Sequence, residues 1–488
     1  MTTFAKETAS GGDFSREALV SQGRTILDWI GAYLEHPEDY PVLSTSMPGD
    51  LRAALPAAPP AAAETLETIF EDFQAKVIPG ITHWNHPAFF GYFATSSSVP
   101  GILAEMLVAT LDVKAMLWKT SPAATELEQV VTDWLRQMLG LGDGWFGITT
   151  DTASMSSMLA LAAARESLPA LDIRARGMAG RPDLPRLRVY ASTHAHSSID
   201  KAALALGIGL ENVVKVDDDA EFRMKPAALA AAIDADRDRG YLPLACVATV
   251  GTTSTSSIDP VPRIAEICGR QDVWLHVDGA YGGTLAIVPE YRHVLDGIEG
   301  ADSLVVNPHK WMFTPFDCSV LFIKHPDVLK RAFSLVPEYL VTREQDDVVN
   351  YMDYGVQLGR RFRALKLWMV IRAFGTDGLA DRLRNHVALA TTFSQWVQAE
   401  PAWELMAPVH FALVCFRYAP AGAGPMECDA LNERIMHAVN DGGEVFLSHT
   451  KLHDRFTLRL SIGNIRTEER HVALAWSKLR EASRSMHQ

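Results

Sequence analysis

The chain has 488 residues, of which 48% are hydrophobic and 21% charged, and these proportions exclude a mostly disordered or fibrous protein. Lys and Arg number 45 against 59 Asp and Glu, so the formal net charge is −14. An acidic chain without a basic run is a poor candidate for binding nucleic acid or an anionic membrane.

Nothing in the chain indicates a membrane segment, a secretion signal or a metal site. No stretch approaches about 18 uncharged apolar residues, and residues 1–12 lack the charged-then-apolar pattern of a signal peptide. The five cysteines lie far apart without a CxxC pair, and the 16 histidines show no HExxH spacing. We therefore expect a cytoplasmic protein with reduced thiols and no metal.

The N-terminal part, residues 1–97, is predicted to be a helical dimerisation segment. Apolar residues recur there at helical spacing on one face, namely Leu19, Ile26, Ile30, Tyr33 and Leu34. A Pro-rich connection over 53–63 precedes a second helical stretch that ends near Pro79. An amphipathic face of this kind needs a partner surface.

The middle part, residues 98–366, alternates strand-like and helix-like segments. Short runs of Val, Ile and Leu predict strands at 187–190, 213–216, 244–250, 273–277, 303–306 and 319–323. One intervening helix is predicted to start at Pro226, a favourable first helical position. This rhythm predicts an α/β domain with a largely parallel sheet. A long helical pattern begins near Arg361, and residues 367–488 are predicted to form a small C-terminal α+β domain.

Lys310 lies in the pentad Asn307-Pro308-His309-Lys310-Trp311, directly after a predicted strand. A lysine just past a buried strand is partly desolvated, which lowers its pKa and makes the amine nucleophilic. This favours a Schiff-base lysine, although a lone lysine is more often an ordinary surface residue.

Asp278 lies at the carboxyl end of another predicted strand, the edge where open α/β sheets bind ligands. A buried carboxylate there needs a cationic partner, and a protonated pyridine nitrogen would serve. The alternative is a helix N-cap.

Two further motifs fit the same ligand. Thr152, Ala153 and Ser154 precede a helical run, where free N–H groups and the helix dipole favour an anion such as phosphate, or where the hydroxyls simply cap the helix. His196 precedes another helix and is either a ring that stacks on an aromatic cofactor or a capping histidine. Together the four motifs describe a pyridoxal-phosphate site.

On these motifs the chain resembles the pyridoxal-phosphate-dependent aromatic-L-amino-acid decarboxylases, the group II decarboxylase family. The resemblance covers nearly the whole chain and includes, besides the pentad, the segments 83–87, 89–93, 121–128 and 358–363. It implies fold type I of the pyridoxal-phosphate enzymes, which is aspartate-aminotransferase-like. It also implies a homodimer with shared active sites.

The resemblance also implies roles for residues around the cofactor, pyridoxal 5'-phosphate. Lys310 would carry the cofactor, with His309 beside it, and Asp278 would keep the pyridine nitrogen protonated. His196 would stack on the ring near the substrate carboxylate. The phosphate would be bound by Ala153, Ser154 and Asn307, with Thr152 close by, and Thr253 would lie near the ring hydroxyl. Tyr339, on a mobile loop, would be the proton donor.

For the substrate pocket the resemblance implies Trp84, Tyr92, Phe93, Thr95, Lys114, Met116, His196 and Gly359. Lys114 and Met116 stand where the animal enzymes have Ile and Phe, at positions that reach into the neighbouring subunit's pocket. A solvent-facing Lys114 and an aromatic core cluster are the structural alternatives.

The function implied is decarboxylation of an aromatic L-amino acid (Dopa, Tyr, Trp, 5-hydroxytryptophan or Phe) to the amine and CO2. One alternative is an aromatic acetaldehyde synthase, which consumes oxygen and releases ammonia, but that branch typically replaces the residues at Tyr339 or His196. Another is a decarboxylase of acidic or diamino acids, indicated only by Lys114. The presence of Lys310, Asp278 and His196 argues against a non-catalytic binding protein.

Overall fold

A computed structural model describes residues 13–335 and 347–486. The strands are β1 Phe89–Phe90, β2 Phe146–Thr150, β3 Leu187–Ser192, β4 Val213–Val216, β5 Leu242–Thr249, β6 Trp274–Asp278, β7 Ser303–Val306, β8 Ser319–Ile323, β9 Trp403–Leu405, β10 Leu413–Tyr418, β11 Phe446–Leu452 and β12 Arg455–Ser461.

The α-helices fill the connections between these strands and the N-terminal region. They are α1 Arg16–Glu35, α2 Asp50–Ala54, α3 Leu66–Asp72, α4 Val99–Leu111, α5 Pro122–Met138, α6 Ala153–Glu166, α7 Ile173–Arg176, α8 Ser198–Ala205, α9 Pro226–Asp238, α10 Val261–Arg270, α11 Pro308–Trp311, α12 Pro326–Phe333, α13 Ala364–Ala399, α14 Pro425–Asp441 and α15 Glu469–Ser485.

The larger sheet has seven strands in the order β2-β8-β7-β6-β5-β3-β4. Strands β4, β3, β5, β6 and β7 run parallel, whereas β8 is antiparallel to both of its neighbours, β7 and β2. The strands β6, β7 and β8 are buried along their whole length, which explains the apolar character of β7 and β8 and the Trp, Leu and Val of β6. Two polar residues of β6, His276 and Asp278, are buried with them. The prediction of an α/β domain with a largely parallel sheet is confirmed.

The smaller sheet has the order β1-β11-β12-β10-β9, and its first strand comes from the N-terminal region. Phe89 and Phe90 pair in parallel with Phe446 and Leu447, so the region expected to be helical also contributes a short strand. Helix α13 runs through the expected boundary at 366/367 and leaves helical geometry only at Gly375, where φ is 65°. The division into 1–97, 98–366 and 367–488 therefore stays a proposal.

Helices α1 and α4 present apolar side chains to solvent. Leu19 and Ile26 of the face predicted for α1 are 69% and 40% exposed, whereas Tyr33 turns inward and its hydroxyl lies 3.0 Å from Nδ1 of His83. On α4 the exposed apolar residues are Val99, Leu103, Met106, Leu107 and Leu111. Within 13–335 and 347–486, no helix combines the length and the apolar character needed to cross a membrane.

Candidate active site

A cavity of about 640 Å³ brings together residues from distant parts of the chain. Eight predicted site residues line it: Trp84, Tyr92, Phe93, Thr95, His196, Thr253, His309 and Lys310. The prediction missed six others: Asn85, Ser96, Ser97, Thr314, Phe316 and Arg459. The cavity lining therefore combines the aromatic rings of Trp84, Tyr92, Phe93 and Phe316 with a lysine and two histidines.

Lys310 lies in α11, the short helix that follows β7. Removal from water lowers the pKa of its amine, and the negative charge of Asp278 partly opposes this shift. The Nζ atom lies 5.1 Å from the centroid of the Phe93 ring. Lys310 therefore becomes a neutral nucleophile more readily than an ordinary surface lysine does.

Asp278 is the last residue of β6 and is buried, although it does not itself line the cavity. One carboxylate oxygen, Oδ1, accepts the N–H of Ala280 at 3.1 Å. Burial lowers the pKa values of Lys310 and His196, and the negative charge of Asp278 opposes part of this lowering. Among the residues that the structure describes, Asp278 forms no ion pair, so a cationic group of a ligand would find an unpaired carboxylate there.

Both cavity histidines have a fixed tautomer when neutral. Nδ1 of His196 accepts the N–H of Ser198 at 3.1 Å, and Nδ1 of His309 accepts the N–H of Cys318 at 2.9 Å. Each neutral ring therefore carries its proton on Nε2. Burial, with the positive charge of Lys310, lowers the pKa of His196 and brings that of His309 to about 3. Both rings are N–H donors at neutral pH.

The first turn of α6 is open to an anion. Thr152 is its N-cap residue, but its side chain accepts no backbone N–H of the first turn. The Thr152 hydroxyl donates to Asp151 Oδ1 at 3.2 Å. Strand β2, which precedes α6, and strand β7 lie on either side of β8. The last residue of β2, Thr150, pairs with Ser319 of β8, and the last residue of β7, Val306, pairs with Val320 of β8. Two strand spacings amount to about 10 Å, so the α6 N-terminus and Asn307 share one edge of the sheet.

These features fit pyridoxal phosphate. Asp278 forms no ion pair within the described ranges, and the N-terminus of α6 has no side-chain cap. A pyridinium nitrogen would satisfy the first and a phosphate the second, while the cofactor's aldehyde is the natural partner of the Lys310 amine. The buried Asn307 side chain has an amide oxygen without a partner, and a flip of this amide would direct its NH2 donor to a phosphate. Ala153 and Ser154 lie in the open turn beside Thr152, outside the cavity lining.

Three predicted pocket residues lie away from this cavity. Lys114 is exposed and pairs with Asp112 at 2.5 Å, which agrees with the solvent-facing alternative. Met116 packs beside Leu117 and Met352, and Gly359 is exposed. Tyr339 lies outside the described residues.

Arg459, on β12, is the most consequential residue that the sequence prediction missed. It is buried, and its guanidinium donates to the carbonyl oxygens of Thr253 and Ser254 at 2.7 and 3.0 Å and to Ser448 Oγ at 3.0 Å. It forms no ion pair with any described carboxylate. No local motif signals its role, because Thr253 and Arg459 are 206 positions apart in the sequence.

Comparison with known proteins places the chain among enzymes of one type. The profile of the pyridoxal-dependent decarboxylase conserved domain matches residues 48–419. The chain is 41% identical over 482 residues to phenylacetaldehyde synthase of Arabidopsis thaliana, covering 96% of this chain and 97% of that one. It is 42% identical over 475 residues to tryptophan decarboxylase 2 of Oryza sativa subsp. japonica, covering 95% and 94%. The crystal structure of Oryza sativa TDC with PLP and tryptamine matches with a TM-score of 0.93 at 35% identity, covering 97% and 99%.

Proposed function

The chain belongs to the pyridoxal-dependent decarboxylase family, and from this premise we propose that it converts an aromatic L-amino acid into the corresponding amine and CO2. Its fold is fold type I, its cofactor is pyridoxal 5'-phosphate, and it is an amino-acid carboxy-lyase. The observation that carries the aromatic assignment is the cavity lined by Lys310 and by the rings of Trp84, Tyr92 and Phe93, in which Nζ of Lys310 lies 5.1 Å from the Phe93 centroid.

We propose that the residues of the sheet edge hold the cofactor. When bound, pyridoxal phosphate supplies an electron sink for the pair left at Cα as CO2 departs. Asp278 would hold a proton at the pyridine nitrogen, because its buried carboxylate forms no ion pair within the described residues. Asn307 and the open N–H groups of Ala153 and Ser154 would bind the phosphate, with Thr152 beside them.

The two histidines and Lys310 would handle orientation and protons. His196, neutral with its proton on Nε2, would donate a hydrogen bond from the cavity wall to the substrate carboxylate and so orient it. His309 would hold its place beside Lys310 through the bond from Cys318 N–H. Lys310 would accept and return a proton at Nζ, which its lowered pKa favours. Tyr339 keeps its proposed role as proton donor to Cα.

The aromatic rings in the cavity lining favour a flat apolar side chain of the substrate over an acidic one. Trp84 and Tyr92 stack with ring centroids 5.8 Å apart, and Phe93 stacks on Tyr281 at 3.9 Å. The cavity does contain a cation, Arg459, but three of its nitrogens already donate to protein oxygens. A second carboxylate would therefore compete with bonds that hold the cavity together, which argues against acidic substrates.

We also propose that the enzyme is a homodimer with shared active sites. The exposed apolar faces of α1 and α4 support this, because contiguous apolar patches on a protein surface mark interaction sites. Trp84 and Tyr92, at the cavity, are 41% and 56% exposed in the single chain, so a neighbouring subunit would complete the pocket. Lys114, Met116 and Gly359 are the proposed contributors from the partner.

An aromatic acetaldehyde synthase is the second candidate, because the chain is 41% identical to phenylacetaldehyde synthase. The retention of His196 and Tyr339 favours the decarboxylase. Replacement of Tyr339 by Phe should divert the product from amine to aldehyde if Tyr339 is the proton donor that commits the reaction to amine. An unchanged amine yield from Tyr339→Phe would overturn that role.

The test of the proposed function is product analysis on a panel of L-amino acids. Wild type and Lys310→Ala, each with added pyridoxal phosphate, are assayed for amine and aldehyde by mass spectrometry. Amine from aromatic substrates alone, absent with the variant, would support the proposal and identify the substrate. Aldehyde with oxygen uptake would assign the enzyme to the synthases, and amine from Glu or a diamino acid would overturn the substrate class.

A further inference from the structure

A buried ion pair contacts β2, the strand that precedes the first turn of α6. Arg360 and Glu128 of α5 form a two-pronged salt bridge, with Nη2–Oε1 2.6 Å and Nη1–Oε2 3.0 Å. Their side chains are 5% and 1% exposed. Burying two charges is costly unless their remaining polar atoms are also satisfied, so the other partners of this pair are informative.

Most of those partners are backbone groups of two separate segments; in addition, Arg360 Nη2 donates to the Thr149 hydroxyl at 3.2 Å, and the guanidinium carbon lies 4.7 Å from the centroid of the Tyr351 ring. Arg360 Nη2 donates to the carbonyl oxygen of Thr149 at 2.7 Å, and Glu128 Oε1 accepts the Thr149 N–H at 2.8 Å. Arg360 Nη1 donates to the carbonyl oxygen of Ala115 at 3.1 Å, while the Ala115 N–H donates to the Arg360 carbonyl at 2.9 Å. The backbone N–H and C=O of Thr149 and of Ala115 are thus all hydrogen-bonded to this ion pair or to the Arg360 backbone.

One segment continues into the proposed phosphate turn of the same subunit, and the other carries residues proposed for the neighbouring subunit's pocket. Thr149 belongs to β2 and lies three residues before Thr152, where the proposed phosphate turn begins. Ala115 stands between Lys114 and Met116, which do not line this chain's own cavity, and Gly359 directly precedes Arg360. A displacement of the Arg360 guanidinium would therefore move both segments.

We propose that Arg360 is a positioning residue that sets the phosphate turn of its own subunit and the pocket rim that its subunit contributes to the neighbouring active site. The second half rests on the proposed homodimer. A lysine would not replace it, because one ammonium group cannot match the planar fork that reaches Glu128, Thr149 and Ala115 at once.

The first experiment compares Arg360→Lys with Arg361→Lys, an adjacent and more exposed arginine that pairs with Glu105. Apoenzyme is titrated with pyridoxal phosphate, and KM is measured for the best aromatic substrate. We expect Arg360→Lys to raise both the cofactor Kd and KM about tenfold, as for one lost charge-assisted hydrogen bond. We expect the control to change either by less than about twofold.

A purely structural role predicts a different result, namely a lower melting temperature with both constants unchanged, and that result would overturn the proposal. If Arg360→Lys does not fold, Glu128→Gln serves instead. This variant keeps the shape of the side chain and an oxygen for the Thr149 N–H, but it removes the charge that holds the guanidinium. The same rises in cofactor Kd and KM are expected from it.

A mixed dimer separates the two halves of the proposal. One subunit carries Lys310→Ala with Arg360→Lys, and its partner is wild type, so the single competent site has a normal phosphate turn and an altered rim. Against a mixed dimer with Lys310→Ala alone, KM should rise about tenfold while the cofactor Kd of the competent site stays unchanged. An unchanged KM overturns the cross-subunit role, whereas a monomeric wild type in sedimentation overturns the proposed dimer.

Discussion

The guanidinium of Arg459 donates a 2.7 Å hydrogen bond to the carbonyl oxygen of Thr253, which joins β12 of the smaller sheet to the loop that follows β5 of the larger one. A second bond of 3.0 Å reaches the Ser254 carbonyl oxygen. Both Arg459 and Thr253 line the active-site cavity. These two hydrogen bonds therefore connect the smaller sheet to the larger one within the lining of the active-site cavity.

Replacing Arg459 by Lys should lower kcat/KM at least about tenfold. The lysine keeps the charge but cannot make the three bonds of the guanidinium, each worth about 1.5–3 kcal/mol when the donor is charged. The measurement is steady-state amine release at saturating pyridoxal phosphate. Arg455→Lys is the control, since this residue starts the same strand and only approaches Asp429, at 3.7 Å. Equal losses in the two variants would contradict a specific role for Arg459.

The sequence predicted those parts of the site that lie within one short segment. Lys310 and Asp278 each follow or end a buried strand, and such strands appear as apolar runs that locate the ligand-binding edge of the sheet. The bounds of three predicted strands, 213–216, 303–306 and 319–323, match the structure, and those of the other three differ by at most two residues; β6, for example, extends through Asp278.

The residues that were missed depend on contacts between distant segments. Arg459 reaches Thr253 across 206 positions, and no local periodicity reports such a contact. The strand Phe89–Phe90 has only two residues and forms because β11 lies beside it. The conformational preference of these two residues alone therefore does not predict it. Pairing between distant strands is a tertiary effect that overrides local preference.

Replacing Ser154 by Asp should separate folding from cofactor binding. An aspartate in the first turn of α6 interacts favourably with the helix dipole, so the melting temperature of the apoenzyme should hold or rise slightly. The same charge would repel the cofactor phosphate and raise the Kd for pyridoxal phosphate at least about a hundredfold. Titration of the apoenzyme measures this, with Ser154→Ala as the uncharged control. An unchanged Kd would contradict a phosphate site at this turn.

Replacing His386 by Gln should make stability less sensitive to acid. His386 is buried and accepts the Trp311 Nε1–H at 2.9 Å, and burial lowers its pKa from 6.5 to about 4. Between pH 6.5 and about 4, this histidine is protonated in the unfolded chain but neutral in the folded chain. The free energy of unfolding therefore falls as the pH drops from 6.5 towards 4. Glutamine cannot titrate and still offers an oxygen to Trp311.

The loss of unfolding free energy between about pH 7.5 and about pH 5 should therefore be roughly 2 kcal/mol smaller in His386→Gln than in wild type. Denaturant unfolding at one fixed protomer concentration measures it. The exposed His293, changed to Gln, is the control and should leave the acid dependence as it is. If His386→Gln keeps the full acid dependence, His386 is not one of the groups that cause it.

Replacing Leu107 by Glu should separate the subunits of the proposed dimer. Leu107 is 48% exposed in the middle of the apolar face of α4, between Leu103 and Leu111. Glutamate is a good helix former, so the helix should persist, while an unpaired charge inside an interface is costly. Sedimentation at micromolar concentration should show monomers, and amine release should fall because each pocket loses the residues that its partner supplies.

The control for Leu107→Glu is Met426→Glu, in the first turn of α14. Met426 is 83% exposed, so a charge there should leave both the sedimentation behaviour and the activity as in wild type. A Leu107→Glu protein that stays dimeric would place the subunit interface elsewhere than α4. A monomer with full activity would instead show that each chain holds a complete site, and it would remove Lys114, Met116 and Gly359 from the pocket.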